Sequence, residues 1–183
     1  MTRNLFPKPY ADFVARLRVP CGFLLVAAFA WFSYPSITSL AYGIPLSIAG
    51  LGLRAWAAGH LAKNQQLATG GPYAYTRNPL YLGTLLVAAG LATAARSAGL
   101  ALLFAAIFIF VYLPVMVLEE QHLRKLFPEY ADYAARVPVL VPFRKRQVSA
   151  GRFRWQLYWK NQEYQALLGL AAGFAWLFWK AVK

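Results

Sequence analysis

VPCGFLLVAAFAWFSYPSITSLAYGIPLSIAGLGL fills residues 19–53 without one charged side chain. A run of 35 residues is long enough for two helical crossings of a bilayer, whose hydrocarbon core takes about 20 residues per helix. Its middle reads Ser33-Tyr34-Pro35-Ser36. Pro35 removes an amide donor and biases Tyr34 away from helix, so a tight turn between two helices belongs there.

Three more uncharged runs follow, at residues 78–95, 97–118 and 164–179. Together the runs predict five transmembrane helices, over 19–34, 36–60, 79–95, 97–127 and 162–180. The first and third are short for a bilayer, and flanking Arg side chains serve them as snorkelling ends. Composition agrees. Of 183 residues, 60% are hydrophobic and 14% charged, whereas water-soluble domains carry about 25% charged residues and roughly half apolar ones. The excess apolar surface needs lipid, which all but excludes a water-soluble domain. The expected fold is all-α: one polytopic membrane helix bundle over residues 1–183, with a cytoplasmic helical cap.

The 19 Lys and Arg against 6 Asp and Glu give +13, and their placement sets an orientation. With the N-terminus inside, sixteen basic residues lie on or near the cytoplasmic side, leaving Arg96, Lys180 and Lys183 outside, as the positive-inside rule asks. Residues 1–18 read as a cytosolic amphipathic lead-in and not as a signal peptide. Residues 144–183 read as a basic segment followed by the last transmembrane helix. Its cluster Arg144, Lys145, Arg146, Arg152 and Arg154 either fixes topology or touches anionic membrane lipids. No nucleic-acid partner is expected, because the basic residues have no soluble module to sit on. The single Cys21 permits no internal disulfide, and His60 with His122 are too few for a metal site.

Polar residues gather in two places, within a motif region at 70–143. The first is GGPYAYTRNPLYLG, residues 70–83. Pro79 suits the first turn of a helix, where a missing amide hydrogen costs nothing. Tyr73, Tyr75, Arg77, Asn78 and Tyr81 thus crowd the mouth of the third helix, beside the free amides of its N-terminus. An interfacial aromatic belt with an Arg anchor is the plainer reading. The second place is LEEQHLRKLFPEYADYAARVPVLVPF, residues 118–143. Glu119 and Glu120 meet the membrane boundary. Neighbours on a helix point about 100° apart, so at most one faces the bundle interior. The plainer reading is a solvated helix end with Glu120 paired to Arg124 at i+4. Pro128 then opens a short amphipathic helix through Tyr130 and Tyr133 to Arg136, lying across the cytoplasmic mouth.

These two segments in this order, Gly-Pro-Tyr…Arg-Asn-Pro-Leu-Tyr-Leu-Gly and Glu-Glu-x-x-Leu…Tyr-x-x-Tyr…Arg-Val-Pro…Val-Pro-Phe, resemble the isoprenylcysteine carboxyl methyltransferase and phospholipid methyltransferase superfamily. The match covers about residues 50–143. It implies an integral-membrane enzyme, in a bacterial inner membrane, that moves a methyl group from S-adenosylmethionine to a lipophilic acceptor on the cytoplasmic side. Matched position by position, Tyr73, Asn78, Pro79, Tyr81, Glu119 and Glu120 fall on cofactor-binding positions. Arg136 falls on an Arg near the acceptor, and Arg77 is the second candidate for a catalytic role. One departure is Asn78, where the carboxyl methyltransferases usually have His and the phospholipid methyltransferases can have Asn. The 136–143 segment follows the carboxyl methyltransferase spelling.

Such chemistry needs mainly alignment of donor and acceptor with water excluded. A carboxylate acceptor calls for Arg136 or Arg77. An amine acceptor calls for a base, and brings forward Glu119 or Glu120. A nicotinamide-dependent reductase of the sterol type is a competing enzyme reading, unsupported by a Gly-x-Gly-x-x-Gly loop, and a non-enzymatic membrane protein is a third. Arg54 is either functional or snorkelling, and His60 reads as an ordinary interfacial residue. Gly50 and Gly52 read as packing glycines, and Trp176 and Trp179 as an outer aromatic belt.

Overall fold

The computed structural model describes residues 8–142 and 151–183. The first seven residues of the lead-in, Phe143 and the basic residues Arg144, Lys145 and Arg146 lie outside the described residues. Within them the chain is all helical: α1 Lys8–Phe32, α2 Ile37–Ala58, α3 Pro79–Ala95, α4 Ala98–Leu126, α5 Tyr130–Arg136, α6 Trp155–Lys160 and α7 Tyr164–Val182. A 3-10 turn spans Gly71–Ala74, and α4 holds a π-helical stretch at Phe108–Tyr112. No described residue is in a strand.

The expected turn is where the proline placed it. α1 stops at Phe32 and α2 starts at Ile37. Ser36 caps α2 in a reciprocal box with Ser39, satisfying amides that the helix start leaves open. The turn is pinned to the far end of α3, since Tyr34 N donates to Ala95 O at 2.8 Å and Ser39 Oγ to Ala94 O at 2.8 Å. Lys180 of α7 donates to Ala30 O, Trp31 O and Ser33 O. It thereby caps carbonyls that end α1, where a cation is favoured. Trp176 Nε1 also reaches Ala30 O, at 3.3 Å, so this Trp is fixed against α1 and not merely part of a belt.

α1 differs from expectation in beginning at Lys8 and running unbroken into the apolar stretch. Charges mark where a helix can leave lipid, not where it must end, and nothing between Pro9 and Val19 stops it.

α2 and α3 pack closely along a seam of small residues. Side chains at Gly50 and Gly83 have no room: a Cβ on Gly50 would stand 2.7 Å from Gly83 O, and one on Gly83 2.7 Å from Gly50 O. Ser47 Oγ donates to Val87 O at 3.1 Å on the same seam. Such close approach is the usual way helices associate in lipid, where burial of apolar surface drives nothing. Gly52 meets nothing within 4 Å and takes no part.

Two helices, Ala98–Leu126 and Tyr164–Val182, are long and apolar enough to cross a membrane, and Pro20–Phe32 and Pro79–Ala95 are shorter apolar helices. The surface is apolar in a way water does not tolerate. Trp31 is 79% exposed, Phe23 73% and Leu102 71%, and large exposed apolar patches mark contact with lipid or protein. At 29 residues, α4 extends roughly 44 Å, longer than a hydrocarbon core of about 30 Å. Its last turns, which carry Glu119 and Glu120, therefore have room to emerge from it.

Candidate functional site

The two polar segments meet. Arg77 Nη1 donates to Glu120 Oε2 at 2.9 Å, with 11% and 20% of the two side chains exposed. About one helical turn before Glu120, Met116 shares a buried cluster with Tyr81 and Phe108. Tyr81 stands edge-on to Tyr112, ring centroids 6.1 Å apart. Arg77 and Tyr81 on one segment thus line up, in antiparallel register, with Glu120 and Met116 on the other. The π stretch supplies part of this geometry. Pro114 has no amide hydrogen, and just before it Leu113 N reaches back five residues to Phe108 O, a widening of the helix that turns Tyr112 relative to the regular spiral.

A third segment locks the pair in place. After α5 the backbone lies against residues 76–78: Arg77 N donates to Pro138 O at 2.9 Å, while Thr76 Oγ1 and Asn78 Nδ2 both donate to Val139 O, at 3.2 and 3.0 Å. Asn78 also precedes the first turn of α3, with Pro79 fully buried behind it. The Asn side chain therefore holds the cap segment, a task its amide donor performs and a carboxylate could not. Tyr133 Oη donates to Tyr73 O at 2.8 Å, and Tyr130 and Tyr133 form the floor of α5 with Leu67 and Val137. The short helix expected here is thus formed and packs against Leu67 and Tyr73.

Burial pushes the hydroxyls of Tyr73, Tyr130 and Tyr133 above the ordinary tyrosine range. For Tyr73 the neighbouring Tyr133, Glu119 and Glu163 add to that rise and Arg54 opposes it. For Tyr130 and Tyr133, Glu120 adds and Arg77 opposes. All three stay neutral hydrogen-bond donors at neutral pH, because each alternative anion would be desolvated near carboxylates.

The remaining candidates separate. Glu119 is exposed and acts on Tyr73 only through its field. Glu120 does not pair with Arg124, whose guanidinium lies 5.4 Å from the Tyr130 ring centroid instead. Arg136 is exposed, and its Nε donates to Asp132 O at 3.0 Å within its own helix. No hydrogen bond or ion pair among the described residues joins it to Arg77 and Glu120. Arg54 is not a free snorkelling end: it pairs with the buried Glu163 before α7 and also donates to Thr84 of α3. Glu163 and Thr84 were not singled out as partners in the sequence, since nothing in spacing links positions 54, 84 and 163.

An apolar helical bundle in which polar, ion-paired side chains gather where its loop segments meet is the architecture of a membrane protein. The profile of the phospholipid methyltransferase family matches residues 17–130, more than half the chain. The chain belongs to that family. It is similar to the cobalt-zinc-cadmium resistance protein CzcN of Cupriavidus metallidurans, 32% identical over 130 residues, which are 70% of this chain and 58% of the relative. It is also similar to the nickel-cobalt-cadmium resistance protein NccN of Alcaligenes xylosoxydans xylosoxydans, 30% identical over 151 residues, 74% of this chain and 70% of the relative. The matched part spans under two thirds of the length of CzcN. No solved structure matches.

Proposed function

We propose that the protein is a polytopic membrane methyltransferase with five crossings and a cytoplasmic N-terminus, which transfers a methyl group from S-adenosylmethionine to a lipophilic acceptor. The observation that carries this reading is the Arg77–Glu120 pair between the two motif segments. Glu120 spends only one carboxylate oxygen on Arg77, and its Oε1 is buried without a hydrogen-bond partner. A buried acceptor left open is costly unless something fills it, and a carboxylate oxygen suits an ammonium or a ribose hydroxyl, both of which the cofactor carries. The residues present therefore fit that group.

S-adenosylmethionine, when bound, supplies a methyl already activated on sulfur. The chain's own part is binding and exclusion of water. Glu120 would hold a donor group of the cofactor, with Arg77 fixing the carboxylate in place. Tyr73, Asn78, Pro79 and Tyr81 set the wall from the α3 side, with the exposed Glu119 at the rim. α5 closes the mouth. The acceptor enters between helices, and a carboxylate is the acceptor favoured by Arg136, whose two terminal nitrogens carry no hydrogen bond among the described residues.

The metal resistance in the names of the two relatives does not require ligands in this chain, and among the described residues no three His, Cys, Asp or Glu side chains gather. Resistance through a methylated membrane component is the form it takes under this reading. Binding of tritiated S-adenosylmethionine to detergent-purified protein tests the proposal. A dissociation constant in the micromolar range is expected, together with label in a lipid extract whose methylated product is identified by mass. Absence of binding, or binding of a nicotinamide nucleotide in its place, overturns it.

A further inference from the structure

A second polar site lies on the other side of the loop that follows α2. A cleft of about 380 Å³ is bounded by His60, Gln66, Thr69 and Gly70 on one side and by Arg152 and Arg154 on the other. That volume falls within the range of small-molecule sites, roughly 300–1,000 Å³. None of its ten lining residues is acidic, and neither Arg77 nor Glu120 is among them.

The wall bearing the two Arg is fixed, not draped. Arg154 N donates to Gly59 O at 2.9 Å, the Phe153 ring covers Gly59 and stands edge-on to His60, and Asn161 Nδ2 donates to Ala58 O and Leu61 O at 3.0 and 2.9 Å. These bonds consume the carbonyls that end α2. They hold Arg152 and Arg154 over the cleft without involving their guanidinium groups, and among the described residues neither pairs with a carboxylate.

His60 is held in the wall of the cleft. Its Nδ1 lies 2.9 Å from Trp56 O and its Nε2 3.2 Å from Gly151 O. Both contacts end on backbone carbonyls, so the ring is tied to the end of α2 and to the segment that carries the two Arg. Two forked guanidinium groups, Arg152 and Arg154, on a cleft with no acidic lining residue offer more donors than a carboxylate can use and match the several oxygens of a phosphoryl group.

We propose that this cleft binds a phosphoryl anion at the end of α2, separately from the methyl-transfer site. Two sources carry that chemistry: the headgroup of an anionic phospholipid, and free phosphate. Trp56 stands 6.3 Å from the His60 ring and Trp155 4.9 Å from Phe153, so intrinsic tryptophan fluorescence of the full chain in detergent reports occupancy. Titration with inorganic phosphate and, separately, with monomeric dihexanoyl phosphatidylglycerol, at constant ionic strength, is expected to saturate with at least one probe. Tighter binding of the lipid assigns the headgroup as the source, and equal or tighter binding of phosphate assigns the free anion.

R152A/R154A is expected to weaken binding at least tenfold. K63A/K125A, which removes the same charge from exposed positions outside the cleft, is expected to stay within twofold. Gln66→Glu, an exposed loop substitution that puts a carboxylate in the lining, is expected to weaken binding at least tenfold and decides the matter should the double Arg variant not fold. Failure of both probes to saturate, equal weakening by the two double variants, or wild-type affinity in Gln66→Glu overturns the proposal. None of these readouts depends on methyl transfer.

Discussion

Arg77 and Glu120, 43 positions apart, join through a 2.9 Å hydrogen bond that spends one oxygen of the carboxylate and leaves the other buried and open. Arg77 Nε is likewise buried without a partner, and under the proposed reading these two atoms are what a ligand satisfies. Glu120→Gln keeps the shape and removes the charge. It leaves Arg77 poorly compensated and should cost about 1.5–3 kcal/mol of stability, the range for hydrogen bonds to charged groups. Affinity for S-adenosylmethionine should fall at least tenfold in protein that is still folded by thermal melting. Unchanged affinity would return the pair to a structural role.

Arg136→Ala separates acceptor from cofactor. The side chain is exposed and bonded only to its own helix, so stability should move by less than about 0.5 kcal/mol and cofactor affinity should be kept. Turnover of a carboxylate acceptor should fall at least tenfold. Equal loss of cofactor binding and turnover would contradict this division of labour.

Tyr133→Phe removes the donor that holds Tyr73 O and should cost about 1–2 kcal/mol, since a buried carbonyl is left unsatisfied. The buried tyrosines also make stability depend on alkaline pH. Tyr73, Tyr130 and Tyr133 have folded-state values raised above the ordinary 10.0, so the folded form holds those protons more tightly than the unfolded chain does. Their contribution is fully present below about pH 10 and is lost as pH rises beyond it. Melting temperature in detergent should therefore be flat from these groups between pH 7 and 9 and fall above 10. The fall should be shallower in Tyr133→Phe, which has one such group fewer; an identical slope would exclude Tyr133 as a contributor.

Much of this arrangement is legible in the sequence, and the rest is hidden for identifiable reasons. Pro35 and Pro79 place the first turn and the start of α3, and the breaks in charge place α4 and α7 within two residues. The residues of the candidate site are also readable, because polar side chains at the ends of apolar helices are few. Their pairing is not: local spacing favours Glu120 with Arg124, and only the folded chain offers Arg77. The bonds from Thr76, Arg77 and Asn78 to Pro138 and Val139 end on backbone carbonyls, which every residue possesses and no pattern announces. The π stretch at Phe108–Tyr112 had a single sign, Pro114.

The α2–α3 seam predicts opposite effects for two neighbouring glycines. Gly50→Ala places a methyl 2.7 Å from Gly83 O and Val87 N, backbone atoms that cannot turn aside, so the helices must part. A loss of about 1–3 kcal/mol is expected, as for other overpacked interiors. Gly52→Ala enters open space and should be neutral or stabilising by up to about 1 kcal/mol through helix propensity. Thermal unfolding of the two variants side by side checks this, and a Gly50→Ala protein as stable as the wild type would mean that the seam is looser than it stands here.

Glu163→Gln tests how the C-terminal helix is tied to the site. Arg54 joins α2 to Glu163 and, through Thr84, to α3, while both charges act on the buried Tyr73 in the 3-10 turn. Loss of the Glu163 charge leaves Arg54 partly buried without its counter-ion and should destabilise by about 1–3 kcal/mol. The double variant R54Q/E163Q removes both charges together and should recover part of that loss, because an unpaired buried charge costs more than a missing pair. A double variant no more stable than Glu163→Gln would show that the two side chains contribute independently. Binding of S-adenosylmethionine by the double variant should stay within threefold of wild type, since neither residue is bonded to Arg77 or Glu120.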